Sequence, residues 1–421
     1  MTNNNDSGGG CFLFLIHWIF SSIRNRRIKK YNKEARGVET HPSIPVDTLL
    51  PPHTYRENII VSGGGQAERL KVCEQILRNA HSSNHPIIAL HAANGRLENI
   101  IARGGLGTVV NSSNKTFDGF TSFDFNEIVQ IVTDTGKSRY DLKPPGRYVL
   151  QVVYDLLASQ GLRPYFANFA NCPYFQLRDQ ITSRLNSGTI NQITADKLNS
   201  LLITGQAECP KIDTFFSDMK DQMEYMSASN PSSTGAASVL SAIKNKQTLC
   251  IDIRSSSNTM LLEFLVNSLV IAMNRGYDFS LLLDDVPFTN NEFLKSAVCQ
   301  SSNHRNIILS KDLYSLVGGK EDTFFTVAGG AEKTVLFAHS SRTSCEKWSK
   351  YLGEYEKIDV AYNDSGTLSQ SSKMGYNMNT GQTETRRREH KVKPEAIGSL
   401  PQNQAYIFDN AASKLIQAAI V

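Results

Sequence analysis

The sequence lacks the features that mark metal-bound and disulfide-rich proteins. Its seven cysteines are odd in number and widely spaced, and no two of them form a CxxC pair. No group of cysteines and histidines has the spacing of a zinc site. A reducing compartment without structural zinc is the simplest interpretation. Acyl-transfer chemistry has no support either, because neither a nucleophile elbow nor a Cys–His signature is present.

Excess charge is scarce once the first 36 residues are set aside. The whole chain has 44 Lys and Arg against 40 Asp and Glu, a net charge of +4. Residues 1–36 hold seven basic and two acidic residues and contribute +5, which leaves −1 for all the others. The body of the chain therefore gives no electrostatic argument for nucleic-acid binding.

The apolar run at residues 11–20, CFLFLIHWIF, is short for a membrane span. Extended to residue 23 it would make about 20 Å of helix, against a hydrocarbon core of about 30 Å. Its basic residues (24–30, RNRRIKK) follow the run and no small-residue cleavage site is visible, which excludes a secretory signal. Two interpretations stay open. One is a truncated or interfacial anchor with its basic flank on the cytoplasmic side, and the other is a short hydrophobic tail that is poorly ordered or packs on a partner.

The rest of the sequence has the composition of a folded protein, with 421 residues and 40% hydrophobic content, enough for two or three domains. Short apolar runs alternate with helical periodicity, which is the βαβ signature of a parallel sheet. Strands are predicted at 58–61, 86–91, 107–110, 248–253, 279–285, 306–310, 334–338, 404–408 and 414–421, the last two as a hairpin; helices are predicted at 124–133, 147–160 and 258–274. Residues 362–386 are rich in Ser, Asn and Gly and are predicted to form a mobile loop.

A glycine-rich turn follows the first of these strands. Ser62-Gly63-Gly64-Gly65 lies between strand and helix, where P-loop proteins hold phosphate on backbone N–H groups. The phosphate-binding motif GxxxxGK[ST] matches residues 62–69 poorly when the two are aligned position by position. Ser62 stands at the first Gly, Ala67 at the second, Glu68 at the Lys and Arg69 at the Ser/Thr. A carboxylate then replaces the phosphate-binding ammonium, and a guanidinium cannot ligate Mg²⁺.

The site is therefore predicted to be inactive in nucleotide hydrolysis. Gly63–Gly65 can be interpreted as a phosphate cradle without turnover or as a tight turn that needs positive φ, and the sequence favours the turn.

An acidic strand end is the second candidate feature. Leu281-Leu282-Leu283 runs into Asp284 and Asp285, as in the strand that supports the metal of P-loop proteins. The two acids could bind a metal or lie as residual acids at a sheet edge; without a Ser/Thr hydroxyl we predict no bound metal. His91 is interpreted as a sheet-end histidine.

A basic stretch near the C-terminus is the third candidate feature. Arg386–Arg388 with Lys391 and Lys393 could contact DNA, but nearby glutamates dilute them, and a solvated strand face is predicted.

The order of these features resembles the type IV coupling proteins of bacterial conjugation and type IV secretion (TraG/TraD-like), over most of residues 55–421. That family comprises hexameric P-loop ATPases of the RecA-like, FtsK/HerA branch. The resemblance matches residues 171–245 to an inserted all-helical domain, Asp284 to the metal-supporting Asp and Asp285 to the place of a catalytic Glu. Residues 386–408 resemble the closing strand, turn and last strand.

The departures from the family all fall on catalytic positions. They are Glu68 and Arg69, His91 and Asn94 where an Asp and Lys are usual, and the missing Gln in residues 307–314. The resemblance thus implies a member that kept the fold and lost hydrolysis.

The implied fold is α/β, a RecA-like P-loop domain with a mainly parallel central sheet and an inserted all-helical subdomain. Residues 1–36 are expected to form a hydrophobic and basic anchor-like segment, and residues 37–56 a Pro-rich linker. The α/β domain is expected in two parts, 57–170 and 246–421, with the helical insertion 171–245 between them and the C-terminal strands in the second part.

The implied function is a catalytically degenerate scaffold or docking component of a conjugative or type IV secretion-like system. Its partners would be secretion or conjugation proteins, an active ATPase paralogue in an oligomer, DNA, and a membrane surface through residues 11–30. The expected location is the cytoplasm or the cytoplasmic face of the bacterial membrane, with no cofactor.

Two alternatives stay open. One is an active DNA-translocating ATPase, using ATP and Mg²⁺, in which Arg69 replaces the Lys and Asp285 activates water. The other is a DNA- or protein-binding module that uses the helical insertion.

Overall fold

A computed structural model describes residues 8–227, 236–255, 259–287, 292–299, 304–367 and 377–421. The loop predicted near residues 227–235 lies almost wholly outside these ranges. The described chain divides into a larger unit, Pro45–Val335 with Val421, and a smaller unit, Met1–Ile44 with Leu336–Ile420.

The helices and strands are numbered in chain order. The helices are α1 (Gly8–Arg36), α2 (Val46–Leu49), α3 (Gln66–Ser82), α4 (Gly95–Arg103), α5 (Phe125–Tyr140), α6 (Gly146–Ser159), α7 (Phe166–Ala170), α8 (Leu177–Asn186), α9 (Gln192–Gly205), α10 (Cys209–Met223), α11 (Val239–Lys244), α12 (Thr259–Asn274), α13 (Glu292–Cys299), α14 (Leu313–Leu316), α15 (Glu321–Gly329), α16 (Arg342–Tyr351) and α17 (Pro394–Gly398). The strands are β1 (Val38–Ile44), β2 (Ile59–Ser62), β3 (Ile87–His91), β4 (Gly107–Val110), β5 (Thr248–Asp252), β6 (Phe279–Asp284), β7 (His304–Ser310), β8 (Lys333–Leu336), β9 (Glu354–Thr367), β10 (Asn377–His390), β11 (Gln404–Asp409) and β12 (Lys414–Ile420).

The larger unit is built on a sheet with the strand order β8-β2-β7-β6-β3-β5-β4. The pairs β2–β7, β7–β6, β6–β3, β3–β5 and β5–β4 are all parallel. Every residue of β2, β3 and β6 is buried, as expected for strands covered on both faces by helices. The predicted α/β class with a mainly parallel sheet is confirmed, and β2–β8 lie where the strands were predicted.

The helical part of the larger unit packs around phenylalanine rings. The ring centroid of Phe120 lies 5.4 Å from the centroids of Phe166 and Phe169 and 5.9 Å from that of Phe264. Aromatic pairs in these tilted and edge-to-face arrangements stabilise a core beyond their area alone. Residues 171–245, the expected helical insertion, contain α8–α11 and no strand in their described part.

One buried carboxylate organises the loop beside this aromatic cluster. Asp118 is 3% exposed, and its oxygens accept hydrogen bonds from the backbone N–H groups of Phe120 (2.9 Å), Thr121 (3.0 Å) and Phe166 (2.9 Å). Burial outweighs these bonds and raises the pKa of Asp118 to about 6.

Asp118 should make the stability of the protein depend on pH. Between its ordinary pKa of 3.8 and about 6 the folded state binds the proton more tightly than the unfolded state, so this group's contribution to the free energy of unfolding falls as pH rises. Asp118→Asn removes that contribution. Urea unfolding from pH 4 to pH 7 should show the wild-type stability, relative to the variant, declining up to about pH 6 and then levelling. A flat difference over this range would contradict the assignment.

The smaller unit contains a three-stranded arrangement in the order β1-β12-β11. β11 and β12 pair antiparallel, which confirms the predicted terminal hairpin. Residues 37–56, expected to be a linker, also contain β1, which pairs parallel with β12. Its Pro42, which cannot donate to a ladder, lies where the register shifts between Thr40 and Ser43.

A long two-stranded hairpin, β9–β10, corrects one prediction. The described residues of the expected loop 362–386 are strand, with a regular register from Glu354↔His390 to Thr367↔Asn377. The prediction was wrong because it used composition alone, whereas the ladder begun by residues 354–360 extends along the backbone whatever the side chains. Residues 368–376 lie outside the described chain.

Helix α1 lies in the smaller unit and covers residues 11–23. Neither α1 nor any other helix in the described part of the chain combines the length and the hydropathy that a membrane span requires.

Candidate functional site

Five parallel strands of the larger unit end in polar residues at one edge of the sheet. β2 ends at Ser62, β3 at His91, β5 at Asp252, β6 at Asp284 and β7 at Ser310. Because the strands are parallel, their carboxyl ends meet, and ligands of open α/β sheets bind outside such an edge. This edge is the candidate site.

The glycine turn is anchored to the neighbouring strand. Gly63 and Gly64 have φ values of +84° and +62°, which only glycine adopts easily. The Gly63 N–H donates to the carbonyl oxygen of Ser310 at 2.9 Å, and the hydroxyls of Ser62 and Ser310 lie 3.1 Å apart. Only three residues separate β2 from α3, so the motif positions of Ala67, Glu68 and Arg69 fall inside the first turn of the helix.

Glu68 caps the helix that follows the turn. Its Oε2 accepts a hydrogen bond from the N–H of Gly65, the N-cap of α3, at 2.6 Å. The carboxylate is thus held at the positive end of the helix dipole, the location that a bound anion favours. One of the N–H groups that a phosphate would need is already bonded to the chain's own acid.

Arg69 folds back beneath the turn. Its Nη1 donates to the carbonyl oxygens of Gly63 (3.1 Å) and Gly64 (3.0 Å), and its Nη2 lies 3.3 Å from Asp285 Oδ2. The Arg69 side chain is only 6% exposed, against 42% for Asp285. The guanidinium therefore ties the turn to the end of β6.

Asp285 is held from two sides. It has a φ of +51°, and its Oδ1 accepts a hydrogen bond from the backbone N–H of Lys311 at 2.7 Å, while Oδ2 faces Arg69. Both oxygens are occupied by the protein. A non-glycine residue at positive φ is tolerated only where its surroundings fix it.

Asp284 faces the opposite way, towards α4. Asn94 is the N-cap of that helix; its Nδ2 donates to Asp284 Oδ2 and its Oδ1 accepts from Gln66 Nε2 at 2.8 Å. Asp284 is 5% exposed, and burial raises its pKa, opposed by the Asn94 hydrogen bond. The Asn94 amide therefore connects the first turn of α3 to the acidic strand end.

His91 supports Asn94 and is fully buried. Its Nδ1 accepts the Asn94 N–H at 3.0 Å, which places the proton of the neutral ring on Nε2, 3.5 Å from Glu98 Oε1. Burial lowers the pKa of His91 to about 4 and raises that of Glu98. His91 is thus a neutral, sheet-end histidine that orients its neighbour.

The structure brings together most of the residues singled out from the sequence. Arg69, Asp285 and Gly63–Gly65 form one connected group, while Asp284 joins a second group with Asn94, and Ala67 is exposed. From the sequence, Ser310 and Lys311 were placed only in the segment that lacks an expected Gln, and Gln66 had no role. The available signal was the position of Ser310 at a strand end, of Lys311 directly after it and of Gln66 at the start of a helix.

Comparison with known proteins identifies the fold. No family model and no curated protein sequence matches the chain. The plasmid coupling protein TrwB in complex with the non-hydrolysable GTP analogue GDPNP superposes with a TM-score of 0.54 at 13% identity, over 93% of this chain and 92% of TrwB. TrwB with the ATP analogue ADPNP gives 0.53 at 14% identity, over 93% and 92%.

An unbound form of TrwB, described as a bacterial conjugative coupling protein, gives 0.51 at 14% identity, over 90% of this chain and 88% of that chain. This chain has the TrwB fold. The RecA-like P-loop architecture expected from the sequence is confirmed, and the likeness extends along nearly the whole of both chains.

The Arg69–Asp285 pair should stabilise the turn measurably. Asp285→Asn leaves the buried guanidinium without its anionic partner, and we expect a loss of about 1.5–3 kcal/mol in the free energy of unfolding, the range for a hydrogen bond to a charged group. In the Arg69→Met background the same change should cost much less, because no buried charge remains. Denaturant unfolding of the four proteins measures the coupling; equal losses in both backgrounds would show that the pair does not interact.

Proposed function

We propose that this chain is a catalytically degenerate, coupling-protein-like component of a conjugative or type IV secretion-like system, acting as a scaffold or docking subunit. The TrwB-like fold supports the assignment to a conjugative or type IV secretion-like system, since TrwB is a conjugative coupling protein. The Glu68 and Arg69 geometry supports the loss of catalysis, and it is the observation that carries the proposal.

A magnesium–nucleotide complex does not fit these residues. A phosphate at the start of α3 would displace or face the Glu68 carboxylate, which accepts the Gly65 N–H. Two unit charges of like sign about 4 Å apart repel by about 4 kcal/mol at the effective dielectric constant near a protein surface. The place of the metal-binding hydroxyl is taken by Arg69, whose guanidinium cannot ligate Mg²⁺ and already neutralises Asp285.

The scaffold role follows from what the chain keeps. The chain keeps the parallel sheet, the buried Asp284–Asn94 hydrogen bond and a helical part with an aromatic core, which together support docking to a partner without hydrolysis. We propose secretion or conjugation proteins, or an active ATPase paralogue in a shared oligomer, as partners, with DNA as the transferred substrate of the assembly.

Purified protein should show no ATP hydrolysis with Mg²⁺ and no thermal stabilisation by ATP or ADP. A ligand at about one hundred times its dissociation constant would add about 2.7 kcal/mol to stability, which a thermal shift detects. The Asp284→Asn variant, prepared in parallel, is the control for contaminating ATPases. Mg²⁺-dependent turnover that disappears in this variant would overturn the proposal and favour the active DNA-translocating ATPase.

We also propose that α1 places the protein at the cytoplasmic face of a bacterial membrane. Arg26, Arg27, Lys29 and Lys33 are exposed and have no ion pair within the described residues. They continue the helix whose first half carries the apolar run 11–20. An apolar segment followed by a basic one is typical of helices that bind anionic lipid surfaces.

Vesicle binding tests this placement. Replacing the four α1 residues by Gln should weaken co-sedimentation with phosphatidylglycerol-containing vesicles at least about tenfold, because each surface cation contributes about 1 kcal/mol. A matched control replaces four exposed cations of the larger unit, Arg103, Lys115, Lys137 and Lys320, by Gln. Equal binding by both variants, or no binding by the wild type, would count against the placement.

A further inference from the structure

The two edges of the β9–β10 hairpin differ in the described structure. On the β9 side, the Asn32 side chain of α1 brackets Ile358: Asn32 Nδ2 donates to the Ile358 carbonyl at 2.9 Å, and the Ile358 N–H donates to Asn32 Oδ1 at 2.9 Å. The backbone groups of Ile358 therefore point away from β10, and the helix covers this edge.

The register then fixes the direction of the backbone groups of β10. Ile358 lies opposite Arg386, so this is a non-hydrogen-bonded pair of the antiparallel ladder, and the Arg386 N–H and C=O point away from β9. Alternation places the backbone groups of Glu384 and Arg388 on the same outer edge. Among the described residues these groups have no hydrogen-bond partner, and β10 has no second neighbouring strand.

This edge has few of the devices that protect edge strands. β10 is 14 residues long, it contains no proline, and its register with β9 runs without a bulge. Residues 384–388 are all exposed. Natural edges are usually short, bulged, proline-containing, covered or charged, and here only charge remains.

The charges on this edge select a partner. Glu384, Arg386 and Arg388 share one face of the strand, as residues two apart do. The Glu384 carboxylate is paired with Arg24 of α1, which leaves the two arginines as the charges that face a partner. Arg388 has no ion pair within the described residues, and Arg386 has only Glu356 at 3.8 Å. Arg387, on the other face, is paired with Asp359 at 2.6 Å. An open recess of about 630 Å³ lies here, lined by Glu354–Glu356 and Arg386–Arg388.

We propose that the outer edge of β10 binds an extended, acidic segment of a partner protein as a third strand. The segment's backbone would bond to Glu384, Arg386 and Arg388, and carboxylates two residues apart would pair with the two arginines. A second copy of this chain is a poorer occupant. Antiparallel pairing of two β10 edges about Arg386 would place Arg386 opposite itself, and Glu384, which would face Arg388 of the other copy, is already paired with Arg24. The proposal does not depend on whether the glycine turn binds nucleotide.

A fluorescein-labelled peptide of alternating glutamate and threonine is the probe, measured by fluorescence anisotropy with the full chain. Wild-type protein should bind it, and Arg386→Gln with Arg388→Gln should weaken binding at least about tenfold. Arg387→Gln is the matched control on the opposite face and should change affinity less than about twofold. Circular dichroism and thermal unfolding verify that all variants fold.

Two further readouts separate strand pairing from simple charge attraction. The same peptide with alternate backbone nitrogens methylated keeps its charge but loses its donors, and it should not bind. Hydrogen exchange at Glu384, Arg386 and Arg388 should slow when the unmodified peptide is added, while Thr385 and Arg387, whose amides face β9, should not change.

Failure of the peptide to bind, or equal binding of the methylated peptide, would overturn the proposal. So would a DNA oligonucleotide that binds more tightly than the peptide and loses affinity in the double variant, since the arginines would then serve nucleic acid. Dimerisation through this edge, detected by analytical ultracentrifugation and lost in the double variant, would assign it to a second copy instead.

Discussion

The hydrogen bonds from the Arg69 guanidinium to the glycine turn determine what this site can do. Arg69 donates hydrogen bonds to the backbone carbonyls of Gly63 and Gly64 and forms an ion pair with Asp285, from a position that is almost fully buried. A buried guanidinium is stable only while such partners stay in place, so the turn, the helix start and the end of β6 are held as one unit. The positive charge beside Asp285 is thus supplied by the Arg69 side chain.

Glu68 acts on the same turn from the other side. It supplies the negative charge that the start of α3 favours, just as Arg69 supplies a positive charge next to Asp285. Under the proposed function, these two internal charges take the places of a bound anion and a metal at this edge. On the proposal that hydrolysis is lost, Glu68 and Arg69 stabilise the TrwB-like architecture that a ligand would otherwise complete.

Much of the architecture could be predicted from the sequence, because buried parallel strands contain continuous apolar runs such as 59–61 and 281–283. The presence of Glu68 at the Lys position of the phosphate-binding motif was equally visible in the sequence. The direction of the Arg69 side chain was not, since a long flexible side chain can reach solvent or the turn, and only the position of Asp285 decides between them. The link from Asn94 to Asp284 depends on strand register, which a single sequence does not reveal. The hairpin at 354–390 was missed because residues 377–386 are extended through their pairing with β9, which their composition does not reveal.

The most direct measurement is a crystal structure of the protein grown with Mg²⁺ and a saturating non-hydrolysable ATP analogue. We predict a turn without nucleotide, with Glu68 still accepting the Gly65 N–H and Arg69 still donating to the carbonyls of Gly63 and Gly64. Density for a triphosphate at the start of α3, with Arg69 displaced from Asp285 and a metal ion in its place, would contradict it.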